Sequence, residues 1–351
     1  MRELRIVTLT CVVAFTPHSV FPQGQPALPQ PMDSLLLRGI DLILQQRYSN
    51  ASSYFSELSQ HYPDSPEGSV FQAAALQTAA IDFRDFRQME QFDSLLGITK
   101  SIAEKMIEEK PTSPWGHYYL GTALGMESYD KIQRGEYISG YFKGRSAVNE
   151  LENVLKLDSS FYDAYSVLGT YYYWKSRKTE IINWLPFFSD ERAKGIQCLV
   201  FANEKGRYQH FAAMSNLLWI YVDAGEYKKA EDLARQALER YPLHRIFLHG
   251  LAGALQGQNK MSEALDVYQR QLAAILADDS PNDYNEIGCR LNIVYAKKAL
   301  RDTTTIREQL SAILDKQQNK FPSFLRTKVD EKFQQARRFQ DELSRGTIFS
   351  H

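Results

Sequence analysis

The chain has 351 residues, of which 44% are hydrophobic and 24% charged, with a formal net charge of −1 and a mean hydropathy of −0.40. That length can hold more than one compact core, and that hydropathy excludes both a polytopic membrane protein and a disordered chain. A balance of charge this even creates no overall field to gather nucleic acid or acidic lipid, so neither is expected as a partner.

At the start of the chain, Arg2 and Arg5 precede an uncharged, mostly apolar run from Ile6 to Phe15. The run is too short to span a bilayer and leads into a polar, proline-containing stretch, the layout of a secretory signal peptide over residues 1–23, although no clean small-x-small cleavage site follows. This reading makes the protein periplasmic or secreted, with no transmembrane segment once the signal is cleaved. Cys11 offers the alternative of a lipid anchor on the envelope, but Thr10 stands where a lipidated cysteine is usually preceded by a small residue. Residues 24–31, rich in Pro, Gln and Gly, read as a linker.

From Met32 the pattern is helical, with prolines falling mostly between helical segments and no sustained strand alternation. Residues 211–244 superpose on 245–278 at a period of 34, so that Leu217 meets Leu251, Gly225 meets Asn259, Tyr227 meets Met261 and Ala230 meets Ala264. Each pairing has a mechanical reason. Gly225 and Asn259 can take the left-handed conformation that ends a helix, Ala230 and Ala264 stand where two helices cross, and Pro242 closes its unit. With Tyr221, Gly225, Tyr227, Ala230, Ala237 and Pro242 on the family spacing, this segment resembles the tetratricopeptide repeat. Weaker copies keep Gly39, Tyr48, Ala51, Phe55 and Pro63; Leu120, Gly121, Leu124, Ala147 and Leu151; and Leu168, Gly169, Tyr172, Gly195, Leu199 and Ala202.

The resemblance implies an all-α tetratricopeptide-like solenoid, a right-handed superhelix of about six helix hairpins over residues 32–322. A C-terminal amphipathic capping helix is expected over 323–345, where Leu325, Val329, Phe333, Ala336, Phe339 and Leu343 share one face. The layout of 114–206, with Gly121, Gly144-Arg145 and the run from Gly169 to Tyr173, is also loosely similar to the eukaryotic tetratricopeptide-39 and Iml2 group. Arg84–Asp93, Met126–Phe142 and Lys175–Asp190 read as three insertions in the turns within hairpins, lined up as a collar along one edge. In a solenoid each repeat touches only its neighbours, so Cys198 and Cys289 are expected apart, buried and unpaired.

No His-Glu-x-x-His, Cys-x-x-Cys, phosphate-binding loop or nucleophile elbow is present, so neither cofactor nor metal nor catalysis is expected. Glu226, Glu231 and Asp232 beside Lys228 and Lys229 read as a solvated surface. The run Tyr171–Trp174 reads as helix packing rather than a stacking platform for single strands, which would need a basic track beside it. By repeat register the concave face receives Asp163, Ser166, Thr170 and Tyr173, then Ala212, Ser215, Trp219 and Val222, then Ile246, His249, Gly253 and Gln256. That face carries no Lys or Arg, which argues against capture of an anionic tail. The candidate contact residues are therefore Tyr173, Trp219, His249 and Gln256 on the concave face, and Trp184, Phe187 and Phe188 in the last insertion. The function expected is a non-catalytic scaffold of the bacterial cell envelope that binds a protein or peptide. The alternative is a soluble receptor for an extended peptide or glycan; an enzyme would need a constellation hidden in the insertions.

Overall fold

The protein is described by a computed structural model that covers residues 26–179, 189–278 and 282–348. Within them, short turns break the helical periodicity and fold it into antiparallel pairs. The pairs are α1 (Met32–Leu44) with α2 (Tyr48–His61), α3 (Glu67–Phe83) with α4 (Met89–Glu109), α5 (Pro114–Gln133) with α6 (Tyr137–Leu157), and α7 (Ala164–Lys178) with α8 (Arg192–Lys205). They continue with α9 (His210–Asp223) and α10 (Tyr227–Arg240), α11 (Arg245–Gly257) and α12 (Met261–Leu276), α13 (Asp283–Ala299) and α14 (Ile306–Leu314), before a single last helix, α15 (Ser323–Ser344). Among the described residues the fold is an all-α solenoid of seven hairpins, one more than the repeats legible in the sequence.

The same device ends five of the first helices. Gln46, Gly135, Gly225, Asn259 and Arg301 all have positive φ. The next residue in each case donates its N–H five residues back, as Glu226 does to the Tyr221 carbonyl at 2.8 Å and Lys260 to that of Leu255 at 2.9 Å. This is the bond pattern that satisfies the orphan carbonyls of a helix end. Where paired helices cross, the side chains are small: Ala51, Ala230 and Ala264 are fully buried. In the fourth pair the backbones touch, and a Cβ on Gly169 would lie 2.6 Å from the Gly195 carbonyl oxygen.

Two of the expected insertions are not loops. Met126–Phe142 is two continuous helices, α5 and α6, of 20 and 21 residues, joined by the three-residue turn 134–136. They outlast the 14-residue helices α9 and α10 by about two turns, and the protruding tip exposes Tyr137, Ile138, Tyr141 and Phe142. Of Arg84–Asp93, only 84–88 is turn, and the rest begins α4. In Lys175–Asp190, α7 runs to Lys178, and residues 180–188 lie outside the described set.

The neighbour-only premise also fails. The first two hairpins lie against the loops of the later ones, so the superhelix closes on itself. At the start of α1, the Asp33 carboxylate accepts the Tyr208 hydroxyl at 2.6 Å and pairs with Arg207. At its end, Asp41 accepts the Tyr241 hydroxyl at 2.6 Å. In the last turn of α3, the buried Asp82 carboxylate accepts from Tyr48 and Gln46, both at 2.9 Å, and from Arg245 Nε at 3.1 Å. The Asp82 carbonyl, an orphan acceptor at the end of α3, takes the Asn282 side chain at 3.1 Å. Beneath this clasp lies an aromatic cluster in which Phe161 meets Trp115 at 4.7 Å and Tyr118 at 4.8 Å, with Trp115 reaching Tyr208 at 6.3 Å. Cys198 and Cys289 are buried and free, as expected, and burial pushes their thiols up to about 11 and about 12.

Candidate partner-binding groove

The first helices of successive hairpins present one residue per turn to the concave side, and α9 and α11 bring Trp219 and His249 together there. Their ring centroids stand 5.6 Å apart at 45°. Trp219 is half-buried and His249 exposed, while Gln256, two turns along α11, is exposed and accepts the Tyr268 hydroxyl at 3.0 Å. Solvent reaches His249, yet surrounding protein holds its pKa below the usual histidine range, an effect to which Arg84 and Lys332 add.

Tyr173 is placed differently. It is 2% exposed, and its hydroxyl donates to Asp223 at 2.7 Å. Burial raises its phenol well above the ordinary tyrosine range, with Asp223 adding to the effect. Tyr173 is therefore a strut between α7 and α9, not part of the open floor with Trp219 and His249. Asp163 leaves the face as well: its carboxylate is fully buried and accepts the Tyr208 and Gln209 backbone N–H groups at 3.0 and 2.9 Å, fixing the loop 206–209. Trp184, Phe187 and Phe188, with Leu185 beside them, lie outside the described residues.

Closure adds residues that the repeat register does not supply. Arg84 stands in the turn after α3 with φ +55°. It acts on the charge of three groups drawn from three other helices, Tyr129 of α5, His249 of α11 and Lys332 of α15. The Lys332 ammonium lies over the Tyr284 ring at 5.3 Å. Burial lowers the Lys332 pKa, and Arg84 lowers it further. Phe86, in the turn after α3, meets Phe324 of α15 at 5.1 Å. Arg84 and Lys332 are two cations that closure of the chain brings within electrostatic reach of one another. Neither belongs to a first-helix position, and nothing in their local sequence announces them.

Glu231, read from sequence as solvated, is 4% exposed. Burial alone would raise its pKa, but hydrogen bonds at 2.9 Å from Lys260, Gln258 and Arg235 hold it at about 2. It ties one hairpin to the next. Among the described residues no three His, Cys, Asp or Glu side chains gather as metal ligands, and no helix is long and apolar enough to cross a membrane.

Residues 216–281, the span from α9 to α12, match the family model of the tetratricopeptide repeat. No curated protein sequence matches the chain. Among solved structures it is similar to PilW, described as a widely conserved type IV pilus biogenesis factor, at 12% identity and a TM-score of 0.45, over 73% of this chain and 97% of that one. It is also similar to the C-terminal part of a repeat protein from Cytophaga hutchinsonii, at 17% identity and a TM-score of 0.45, over 85% and 98%. Human IFIT1, solved as a dimer with m7Gppp-AAAA, aligns at 13% identity and a TM-score of 0.46 over 86% of this chain and 62% of its own.

Proposed function

We propose, from the premise that this is a tetratricopeptide-repeat protein, that it is a non-catalytic scaffold which holds an extended polypeptide along its concave face. The observation that carries the reading is the open pair of Trp219 and His249, with Gln256 exposed two turns further along α11. Aromatic rings on successive first helices offer an extended chain apolar contact at regular intervals, and a neighbouring amide fixes its direction by hydrogen bonds. A long concave face suits holding better than turnover.

We place this scaffold in the bacterial cell envelope, exported behind the Arg-led apolar run of residues 2–15. The Leu28 N–H donates to the Tyr208 hydroxyl at 3.0 Å, so the mature chain should keep residue 28. N-terminal sequencing of protein from the envelope fraction should find a start no later than Leu28; an intact Met1 in the cytoplasm would reject export.

The binding reading is tested by crosslinking in that fraction. Wild-type protein should yield a discrete protein adduct, and Trp219→Ala and His249→Ala should lose it while melting within about 3 °C of wild type. No protein adduct from the wild type, or full retention by both variants, would overturn the reading.

A further inference from the structure

The contacts that close the superhelix differ in kind from those that stack it. Among the described residues, the hydrophobic clusters join neighbouring hairpins. One runs from α1 to the loop after α8, one fills α3 to α5, one runs from α7 to α13, and one ties α13, α14 and α15 together. None of them reaches from the first two hairpins to the fifth, sixth or seventh. The seam between those two sets is polar instead. Asp41 accepts from Tyr241 at 2.6 Å and Arg240 at 3.3 Å, and the Gln46 side chain accepts the Arg245 backbone N–H at 3.1 Å. Asp82 takes the Arg245 guanidinium, and its carbonyl takes the side chains of Asn282 at 3.1 Å and Asn285. The ring contacts that cross, among the described residues, are Arg245 over Phe83 at 5.1 Å and Phe86 against Phe324.

A seam of this kind parts more easily than a core. Each hydrogen bond exchanged for water gives up little net free energy. A buried ion pair whose two ends move into water together strands neither charge. Two features of the closed form also work against it. His244, next to Arg245, is 6% exposed, and its Nδ1 has no hydrogen-bond partner, a deficit that contact with water repairs. Arg84 and Lys332 come from opposite sides of the seam, and as like charges they repel. We propose that the seam is a latch: the closed superhelix exchanges with an open one, in which the first two hairpins part from the last three while every hairpin stays folded. The flexure is shared along the neighbour-held stack, and a polar interface between two packed bodies is where relative motion is expected. This device goes beyond the scaffold reading and does not depend on it.

The test places spin labels on the full chain at Gln60→Cys of α2 and Gln269→Cys of α12, both exposed positions, and reads the distance between them by pulsed electron resonance. Cys198 and Cys289 are buried and stay unlabelled. The chain with native seam residues should show one dominant distance. Asp82→Asn with Arg245→Gln removes both charges of the pair, so neither is left stranded. That variant should raise the population at a longer distance by about tenfold or more, with helicity by circular dichroism unchanged. In the same background Lys332→Glu, which sets a carboxylate within reach of Arg84, should bring that population back down. A longer distance that came only with loss of helicity would mean that hairpins unfold, and would overturn the latch. So would a single distance shared by the native seam and the Asp82→Asn, Arg245→Gln variant. A longer population unmoved by Lys332→Glu would overturn the part given to Arg84 and Lys332.

Discussion

At the scale of single residues, the crossing alanines and the buried histidine make the sharpest demands. Ala230 is fully buried where α10 crosses its partner, so Ala230→Leu should cost about 1–3 kcal/mol by overpacking. On the same helix Lys228 is 67% exposed, and Lys228→Ala should stay within about 0.5 kcal/mol. Equal shifts in urea midpoint for the two would contradict the packing. His244 is 6% exposed, its Nδ1 has no hydrogen-bond partner, and burial holds its pKa at about 4. Its unfolded value is about 6.5, so the unfolded chain binds the extra proton first as pH falls. The stability of neutral His244 is therefore complete above about pH 6.5 and drains away towards pH 4. Between pH 7 and pH 5 the loss from this residue should be about 2 kcal/mol, and His244→Gln should remove that share of the slope. His210, whose pKa burial also lowers, contributes in the same window and the same sense.

At the scale of the helix, two glycines with open space around them should respond in opposite directions. A Cβ on Gly225 or on Gly253 would meet nothing within 4 Å, so packing is silent at both. Gly225 ends α9 at φ +73°, and Gly225→Ala should cost about 1–2 kcal/mol in backbone strain. Gly253 lies inside α11, where Gly253→Ala should raise stability by about 1 kcal/mol. Thermal melts that moved the same way for both would contradict the assigned turn. These positions were readable in advance because a hairpin is a local object: Gly225, Ala230 and Pro242 stand within one repeat, and each signals through spacing alone. The long third hairpin misled for the same reason. Its residues keep helical periodicity, but the repeat length made the surplus look like a loop. In the groove, register located Trp219, His249 and Gln256, yet it could not separate Tyr173, whose fate depends on Asp223 fifty residues away. Arg84 and Lys332 were beyond reach, since their meeting depends on the path of the whole chain.

At the scale of the molecule, the clasp around Asp82 decides cooperativity. An open solenoid is held by neighbour contacts and can unravel in parts. Here Arg245, 6% exposed, spans 163 residues to Asp82. Removing its partner should cost about 3 kcal/mol or more. Asp82→Ala also frees Tyr48 and Gln46, so it should split a single unfolding transition into two, the first hairpins melting before the rest. Calorimetry of the variant checks this, and one cooperative peak at an unchanged temperature would show that closure carries no energy.

Closure also bears on how such a chain can change over generations. Open repeat arrays lengthen and shorten by duplicating or deleting a unit, because the wall continues wherever it is cut. In this chain Asp82 must come to rest opposite Arg245 and Asn282, and each intervening hairpin adds a fixed rotation to the path between them. One hairpin more or fewer would carry the clasp past its mate and leave buried charges facing nothing. Surface turns away from the seam, such as 134–136 at the tip of the long third hairpin, carry no such constraint. Descendants of this sequence are accordingly expected to vary in the length of that tip while keeping seven hairpins.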